Sequence, residues 1–455
     1  MLDLDSAASV LGGRRQGSNR TFTAVGTDSR NVQPGMLFVA LRGDRHDGHG
    51  FVAEALQRGA AAALVGEGFV AAPDMPLLRV GDTRRALGDL AAYWRGRFSL
   101  PLAAVTGSSG KTTVKEMLAA VLREAAPEPQ VLVSQGNLNN DIGLPLTLLK
   151  LNDRHRYAVV ELGMNHLGEI RALSRMAQPT VALVNNAGTA HLGYLGTVEN
   201  VARAKGEIFE GLGPDGVAVI NADDTFAGLW RELAAGRQVM DFGLGSGAAI
   251  RARYQLTSAG SELELLTPVG NATTRLAVPG LHNVRNALAA TAAALALGVG
   301  LPAVTAGLWN FRGVKGRLQS KPCRFGGVLL DDTYNANPDS VAAAIDVLAA
   351  TPGKTLLVLG DMGELGPAGM ALHAQLGERA RRAGIARLFG LGPLSAAAVK
   401  EFGSDGRHFN ALPDLLNAME TALGSEDVVL VKGSRFMGME RVVEALESKE
   451  PAPCC

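Results

Sequence analysis

The string Thr106-Gly-Ser-Ser-Gly-Lys-Thr-Thr113 constrains this chain more than any other segment. It lies between a short apolar run, Leu102–Val105, that reads as a buried strand, and the segment Val114-Lys-Glu-Met-Leu-Ala-Ala-Val-Leu, which reads as a helix. Glycines at such a turn let successive backbone N–H groups point inward, and the helix N-terminus adds a favourable dipole, so the turn is a cradle for phosphate. Lys111 can neutralise the outer phosphates and the Thr112 hydroxyl can sit on Mg²⁺. The spacing departs from the standard phosphate loop, whose first glycine would fall where Val105 stands. ATP or GTP binding is expected, but the shorter loop argues against an ordinary kinase or GTPase.

Strands alternate with helical segments on both sides of this turn, the pattern of parallel sheets covered by helices on both faces. The middle block carries strands at Leu102–Val105, Val131–Val133, Tyr157–Val160, Val181–Val184 and Val217–Ile220. Before it, short apolar runs at Met36–Leu41, Ala62–Val65 and Leu77–Val80, separated by polar turns such as Gly43–Gly50, suggest a small α/β module. After the polar link Arg312–Pro322 the alternation resumes at Val328–Leu330, Thr355–Leu359, Arg387–Gly390 and Val428–Val431. A length of 455 residues fits about three domains. The boundaries are placed at 1–98, 99–313 and 314–455.

Composition narrows the class. Lys+Arg and Asp+Glu are both 44, so the excess of basic charge that a nucleic-acid binder uses is missing. The 56 glycines, set among many apolar periodic segments, indicate tight turns rather than disorder. Three cysteines, with Cys323 isolated and Cys454 and Cys455 at the end, form no disulfide framework and fit a reducing cytoplasm. The terminal pair lacks the spacing of a prenylation box and reads as a frayed tail. The acidic start lacks the pattern of a signal peptide. The uncharged stretch between Asn286 and Phe311 is broken by Gly298, Gly300 and Pro302, so a buried helix and loop is expected rather than a membrane span.

Two candidate metal ligands stand at neighbouring strand ends, where open parallel sheets gather their ligands. Glu161 closes the strand Tyr157–Val160, and His191 lies in the loop after Val181–Val184. A carboxylate suits Mg²⁺, whereas histidine is a less usual partner and could equally be a hydrogen-bonded loop residue. Lys205 has Val201, Ala202, Ile208 and Phe209 as its helical neighbours, so it points to the apolar face. Its ammonium could snorkel to water. Alternatively, burial leaves a neutral amine able to add CO₂ as a carbamate, an anionic metal ligand.

These residues, with several further strings, resemble the Mur ligase family along nearly the whole chain. The matching strings are Thr27-Asp-Ser-Arg30, Asp47-Gly-His-Gly-Phe51, Gly107–Thr113, Asn139-Asn-Asp-Ile-Gly-Leu-Pro145, Glu161-Leu-Gly-Met, Ala190-His191, Lys205-Gly-Glu-Ile and His282-Asn-Val-Arg-Asn286. In the last block they are Asp332-Thr-Tyr-Asn-Ala-Asn-Pro338, Leu359-Gly-Asp-Met-Gly-Glu-Leu-Gly366 and Val431-Lys-Gly-Ser434, which look particular to the member that adds D-alanyl-D-alanine. The resemblance implies a small α/β N-terminal domain, a central P-loop-like domain with a mostly parallel sheet, and a Rossmann-like C-terminal α/β domain.

It also implies an ATP-dependent amide ligase of peptidoglycan synthesis, using UDP-N-acetylmuramoyl-tripeptide and D-alanyl-D-alanine, with no nucleic acid or membrane insertion and with a monomer expected. The catalytic candidates are Lys111, His191 and Lys205. ATP would meet Gly107, Ser108, Ser109, Gly110, Lys111, Thr112, Thr113, Asn283, Asn286, Arg317 and Asp332. Mg²⁺ would meet Thr112, Glu161, His191 and Lys205 as its carbamate. The substrates would meet Ser29, Arg30, Asp47, Gly48, Asn139, Asn140, Tyr334, Asn335, Asn337, Lys432 and Ser434. Asn337 also precedes Pro338 and is well placed as a helix N-cap.

The chemistry fits the resemblance: ATP must phosphorylate a carboxylate before an amine can attack it. The rivals are a P-loop phosphotransferase, a non-enzymatic nucleotide switch, and a related ligase for another amino acid or a folate.

Overall fold

The five runs read as middle-block strands are strands, and they pair in parallel with a sixth, Gln238–Phe242. The computed structural model describes residues 1–43 and 46–448, so the Cys454–Cys455 tail lies outside the described residues. The central sheet runs Gln238–Phe242, Val217–Asn221, Val181–Val184, Leu102–Thr106, Tyr157–Glu161, Val131–Val133. Its four inner strands are buried on both faces, as their continuous Val, Ala and Leu runs require, while the edge strand Gln238–Phe242 is partly exposed. Three strands end a residue later than the apolar pattern indicates, on Thr106, Glu161 and Asn221. These polar side chains mark the carboxyl edge of the sheet, where the phosphate loop lies.

The N-terminal module has a five-stranded sheet in the order Arg14–Gln16, Leu77–Val80, Ala62–Gly66, Met36–Val39, Ala24–Gly26, antiparallel only at the first pair. Its helix Thr83–Arg95 packs against the central domain in one continuous apolar cluster that includes Leu87, Leu90, Trp94, Leu144, Leu148 and Leu173. The Trp94 indole donates to the Leu151 carbonyl at 3.0 Å, and Arg95 donates to Ala177 and Gln178 carbonyls.

The C-terminal sheet runs Gln319–Pro322, Val328–Asp332, Asp427–Lys432, Lys354–Gly360, Arg387–Leu391, Gly406–Phe409, parallel except at the first pair. Part of the expected polar link is therefore an edge strand. Both apolar clusters of this domain contain only residues from Leu318 onwards, so it docks on the rest through polar contacts.

A three-stranded antiparallel sheet, Arg251–Thr257, Gly260–Thr267 and Gly270–Leu276, was not expected from the sequence. The uncharged stretch after Asn286 forms the end of helix Leu281–Ala296 and a second helix, Leu301–Asn310. No helix among the described residues is long and apolar enough to cross a membrane.

Candidate active site

The phosphate loop opens the 15-residue helix Lys111–Ala125. Gly110 takes φ +79°, and a Cβ there would stand 2.4 Å from Asn286 Oδ1 and 2.6 Å from Asn185 Nδ2, so only glycine fits. Asn186 Oδ1 accepts from the Ser109 N–H at 2.8 Å, and the Asn185 amide donates to Asn286 Oδ1 at 3.0 Å. Asn286 in turn donates to Asn283 Oδ1 at 3.2 Å. This buried amide chain ties the loop to the start of helix Leu281–Ala296.

Lys111 folds back so that its ammonium donates to the Gly107 carbonyl at 2.6 Å. Burial pushes its pKa down, and the Glu161 carboxylate works against that shift. Both oxygens of Glu161 are engaged: Thr112 Oγ1 donates to Oε2 and Asn139 Nδ2 to Oε1, each at 2.8 Å. Thr112 Oγ1 also accepts from Arg317 of the C-terminal domain at 3.0 Å.

Two cavities meet here. One, of about 450 Å³, is bounded by the phosphate loop, His282–Asn286, Asp332 and Lys432. The other, a cleft of about 1000 Å³, lies between the domains and is bounded by Asn139, Asn140, Glu161, His191, Tyr334 and Ser434 among others. Ser108, Lys111, Arg317 and Asn335–Asn337 line both. In the smaller cavity Asp332 and Lys432 form a buried pair at 2.6 Å. Burial raises the Asp332 pKa while the Lys432 charge opposes the rise. His282, partly buried at the cavity wall near Lys432 and Arg285, is pushed down to about 4, chiefly by loss of hydration.

Three separate model matches report on the chain. Residues 105–294 match the Mur ligase middle domain, 316–435 the Mur ligase glutamate ligase domain, and 21–95 the Mur ligase family catalytic domain. The UDP-N-acetylmuramoyl-tripeptide–D-alanyl-D-alanine ligase of Escherichia coli K12 is 44% identical over 448 residues, 98% of each chain. The chain belongs to the Mur ligase family. A crystal structure of MurF from Acinetobacter baumannii matches this Mur ligase with a TM-score of 0.90 at 40% identity, covering 97% of both chains. MurF from Thermotoga maritima in complex with ADP matches at 0.83 and 30% identity, covering 93% of this chain and 96% of that one.

Lys205 is 1% exposed, with its helical neighbours Val201, Ala202, Ile208 and Phe209 buried around it, so it does not snorkel. Its ammonium has no hydrogen-bond or ion-pair partner among the described residues. Burial first, then the charge of Lys111, hold its pKa well below the ordinary lysine value. His191 and Glu161 both line the larger cleft, yet among the described residues no three His, Cys, Asp or Glu side chains gather into a preformed metal cage.

Other expected residues lie elsewhere or have structural duties. Ser29 and Arg30 form a turn capped by Asp28, which also pairs with Arg30 at 2.9 Å, and Asp47 caps the turn at Gly48. All four line neither cavity. Lys432 lines the nucleotide-sized cavity rather than the larger cleft. Asn337 is the N-cap of helix Pro338–Ala350, in a reciprocal capping box with Ser340, and its amide also donates to Ser109 Oγ at 3.2 Å.

Two residues whose contacts sequence reasoning missed, Asp339 and Glu364, join the C-terminal domain to the loop carrying His191. Asp339 Oδ2 accepts from the Thr189 N–H at 2.8 Å and its hydroxyl at 2.9 Å. Glu364 Oε2 stands 2.9 Å from His191 Nδ1, off the direction of an aligned hydrogen bond. The Gly193 N–H donates to the Glu364 carbonyl at 3.0 Å. His191 and Glu364 both hold left-handed backbone, at φ +64° and +63°, a conformation uncommon for residues other than glycine.

Proposed function

We infer that this Mur ligase joins the amine of D-alanyl-D-alanine to the free carboxylate of UDP-N-acetylmuramoyl-tripeptide, driven by ATP and releasing ADP and phosphate. One observation carries this reading: the phosphate loop is shared by a nucleotide-sized cavity and a larger interdomain cleft, with Lys111 and Arg317 at the junction. A γ-phosphoryl group presented there faces whatever carboxylate the cleft holds.

A carboxylate is a poor acyl donor, so its phosphorylation comes first. Lys111 and Arg317 supply positive charge against the negative charge spread over the oxygens of the transferring phosphoryl group. The dipeptide amine then attacks the acyl phosphate, and the same cations face the oxyanion of the tetrahedral intermediate. The docked C-terminal domain shields the acyl phosphate from water, which would otherwise hydrolyse it.

The three parts divide the work. Residues 1–98 hold the UDP end through Ser29, Arg30 and the Asp47–Gly48 turn. Residues 99–313 hold ATP, with Asn139 and Asn140 towards the tripeptide. Residues 314–455 receive the dipeptide beside Tyr334, Asn335, Asn337 and Ser434.

The oxygen donors Glu161 and Thr112, in contact at the loop, fit Mg²⁺ and would hold it, with His191 and a carbamate on Lys205 as further ligands. Mg²⁺ would neutralise phosphate charge. The buried, unpartnered Lys205 supports the carbamate: an ammonium there is costly, and the neutral amine is the form that adds CO₂.

The test is phosphate release with ATP and UDP-muramoyl-tripeptide against a panel of amines. D-alanyl-D-alanine should support turnover and ligated product; D-alanine, D-glutamate and diaminopimelate should not. Turnover with a single amino acid in place of the dipeptide would contradict the reading.

A further inference from the structure

Two neighbouring parallel strands decide what meets at the C-terminal side of the cleft. Asp332, closing Val328–Asp332, is in register with Lys432, closing Asp427–Lys432. Three residues beyond each strand end, Asn335 and Arg435 come together, the Arg435 N–H donating to Asn335 Oδ1 at 3.4 Å. The Ala336 N–H donates to the same oxygen at 2.9 Å, which leaves the two Nδ2 donors of this exposed amide without a partner among the described residues.

Tyr334 stands beside two guanidinium groups, Arg317 at 4.4 Å and Arg435 at 5.8 Å from its ring centre. They have different duties. Arg317 is bonded to the Thr112 hydroxyl on the phosphate side. Arg435 faces the cleft with its side chain 65% exposed, and its ion pair with Glu440 at 3.2 Å is open to solvent. Lys111 is held by the loop carbonyls and Lys432 by Asp332, while Arg84 pairs with Asp141 outside the C-terminal domain.

We propose that Arg435, together with the Asn335 amide, receives the terminal carboxylate of the incoming dipeptide and so selects acceptors that end in a free acid. This rests on the ligase reading above. The acceptor has a nucleophilic amine at one end and a carboxylate at the other, about 7 Å away in an extended dipeptide. Its amine has to reach the acyl carbon near Lys111 and Arg317. Its carboxylate must be kept from those two cations, where it would compete with phosphate. Arg435, which is bonded to Asn335 and Glu440 rather than to the phosphate loop, does both, since its planar fork matches a carboxylate and the adjacent amide adds a donor. Exposure of the Arg435–Glu440 pair makes exchange of partner inexpensive, because solvent-exposed ion pairs contribute little.

The experiment compares kcat/KM for D-alanyl-D-alanine and D-alanyl-D-alaninamide in the full chain, in Arg435→Ala and in Arg435→Lys, with the KM for ATP and the melting temperature as controls for folding. The unaltered chain should prefer the acid at least tenfold. Arg435→Ala should bring the ratio to within twofold by raising the KM of the acid, and Arg435→Lys should keep part of the preference. Equal losses for acid and amide in Arg435→Ala, or an unchanged ratio, would overturn the proposal. If the unaltered chain ligates neither dipeptide, the ligase reading fails and this assignment with it.

Discussion

The ammonium of Lys111, held against the Gly107 carbonyl, sits where the outer phosphates of a nucleotide would lie. Lys111→Ala should cost on the order of a thousandfold in turnover, the usual scale for a charge that faces a transferring phosphoryl group. A measured rate within tenfold of the parent would remove Lys111 from that role. Lys205 makes a different test. Supplying ¹³CO₂ should give a carbamate carbon signal that Lys205→Ala lacks, and stripping CO₂ should slow turnover. A short-chain acid should restore part of the activity of Lys205→Ala by filling the space the lysine leaves. Absence of the signal, together with indifference to CO₂, would contradict the carbamate. Both lysines were legible in the sequence, one from the glycine-rich turn and the other from helical periodicity. Asn185, Asn186, Asp339 and Glu364 were not, because their partners lie far along the chain and no local pattern records such contacts.

At the scale of elements, apolar runs located most of the parallel strands, missed Ala24–Gly26, Gln238–Phe242 and Gly406–Phe409, and ended several early. Thr106, Glu161, Asn221, Asp332 and Lys432 are strand residues by their backbone and site residues by their side chains. The antiparallel sheet carried a readable signal: Ser261, Leu263 and Leu265 are buried while Glu262 and Glu264 are not, a period of two that the surrounding polar turns obscured. The loop bearing His191 is gripped from both sides. The Gly188 N–H donates to Ser108 Oγ at 2.9 Å, and Asp339 and Glu364 hold its other face. Glu364→Ala should lower kcat ten- to a hundredfold, as loss of a partner that orients a metal-ligating histidine does, with little change in melting temperature. An unchanged kcat would show that the contact has no part in placing His191. The helix start at His282 yields a pH prediction. With its pKa near 4 in the fold and about 6.5 unfolded, the folded state binds fewer protons between those values, so stability falls as pH drops through that window, by up to about 3 kcal/mol. Replacing His282 with Asn should flatten this part of the acid limb; an unaltered limb would contradict the assignment.

The whole molecule is held together unevenly. The N-terminal and central domains share one apolar cluster, whereas the C-terminal domain keeps its apolar clusters to itself and meets its neighbours through Arg317, Asn337, Asp339 and Glu364. Polar interfaces of this kind permit relative domain motion, so the parts that assemble the junction of the two cavities can also release its product. The central claim is that a carboxylate is phosphorylated at that junction before the amine attacks. It is tested most directly with UDP-muramoyl-tripeptide carrying ¹⁸O in its free carboxylate, ligated to D-alanyl-D-alanine with unlabelled ATP. An acyl phosphate leaves by breaking the bond between the acyl carbon and the bridging oxygen, so each phosphate released should carry one ¹⁸O from the tripeptide. Phosphate free of ¹⁸O, with ligated product formed, would contradict it.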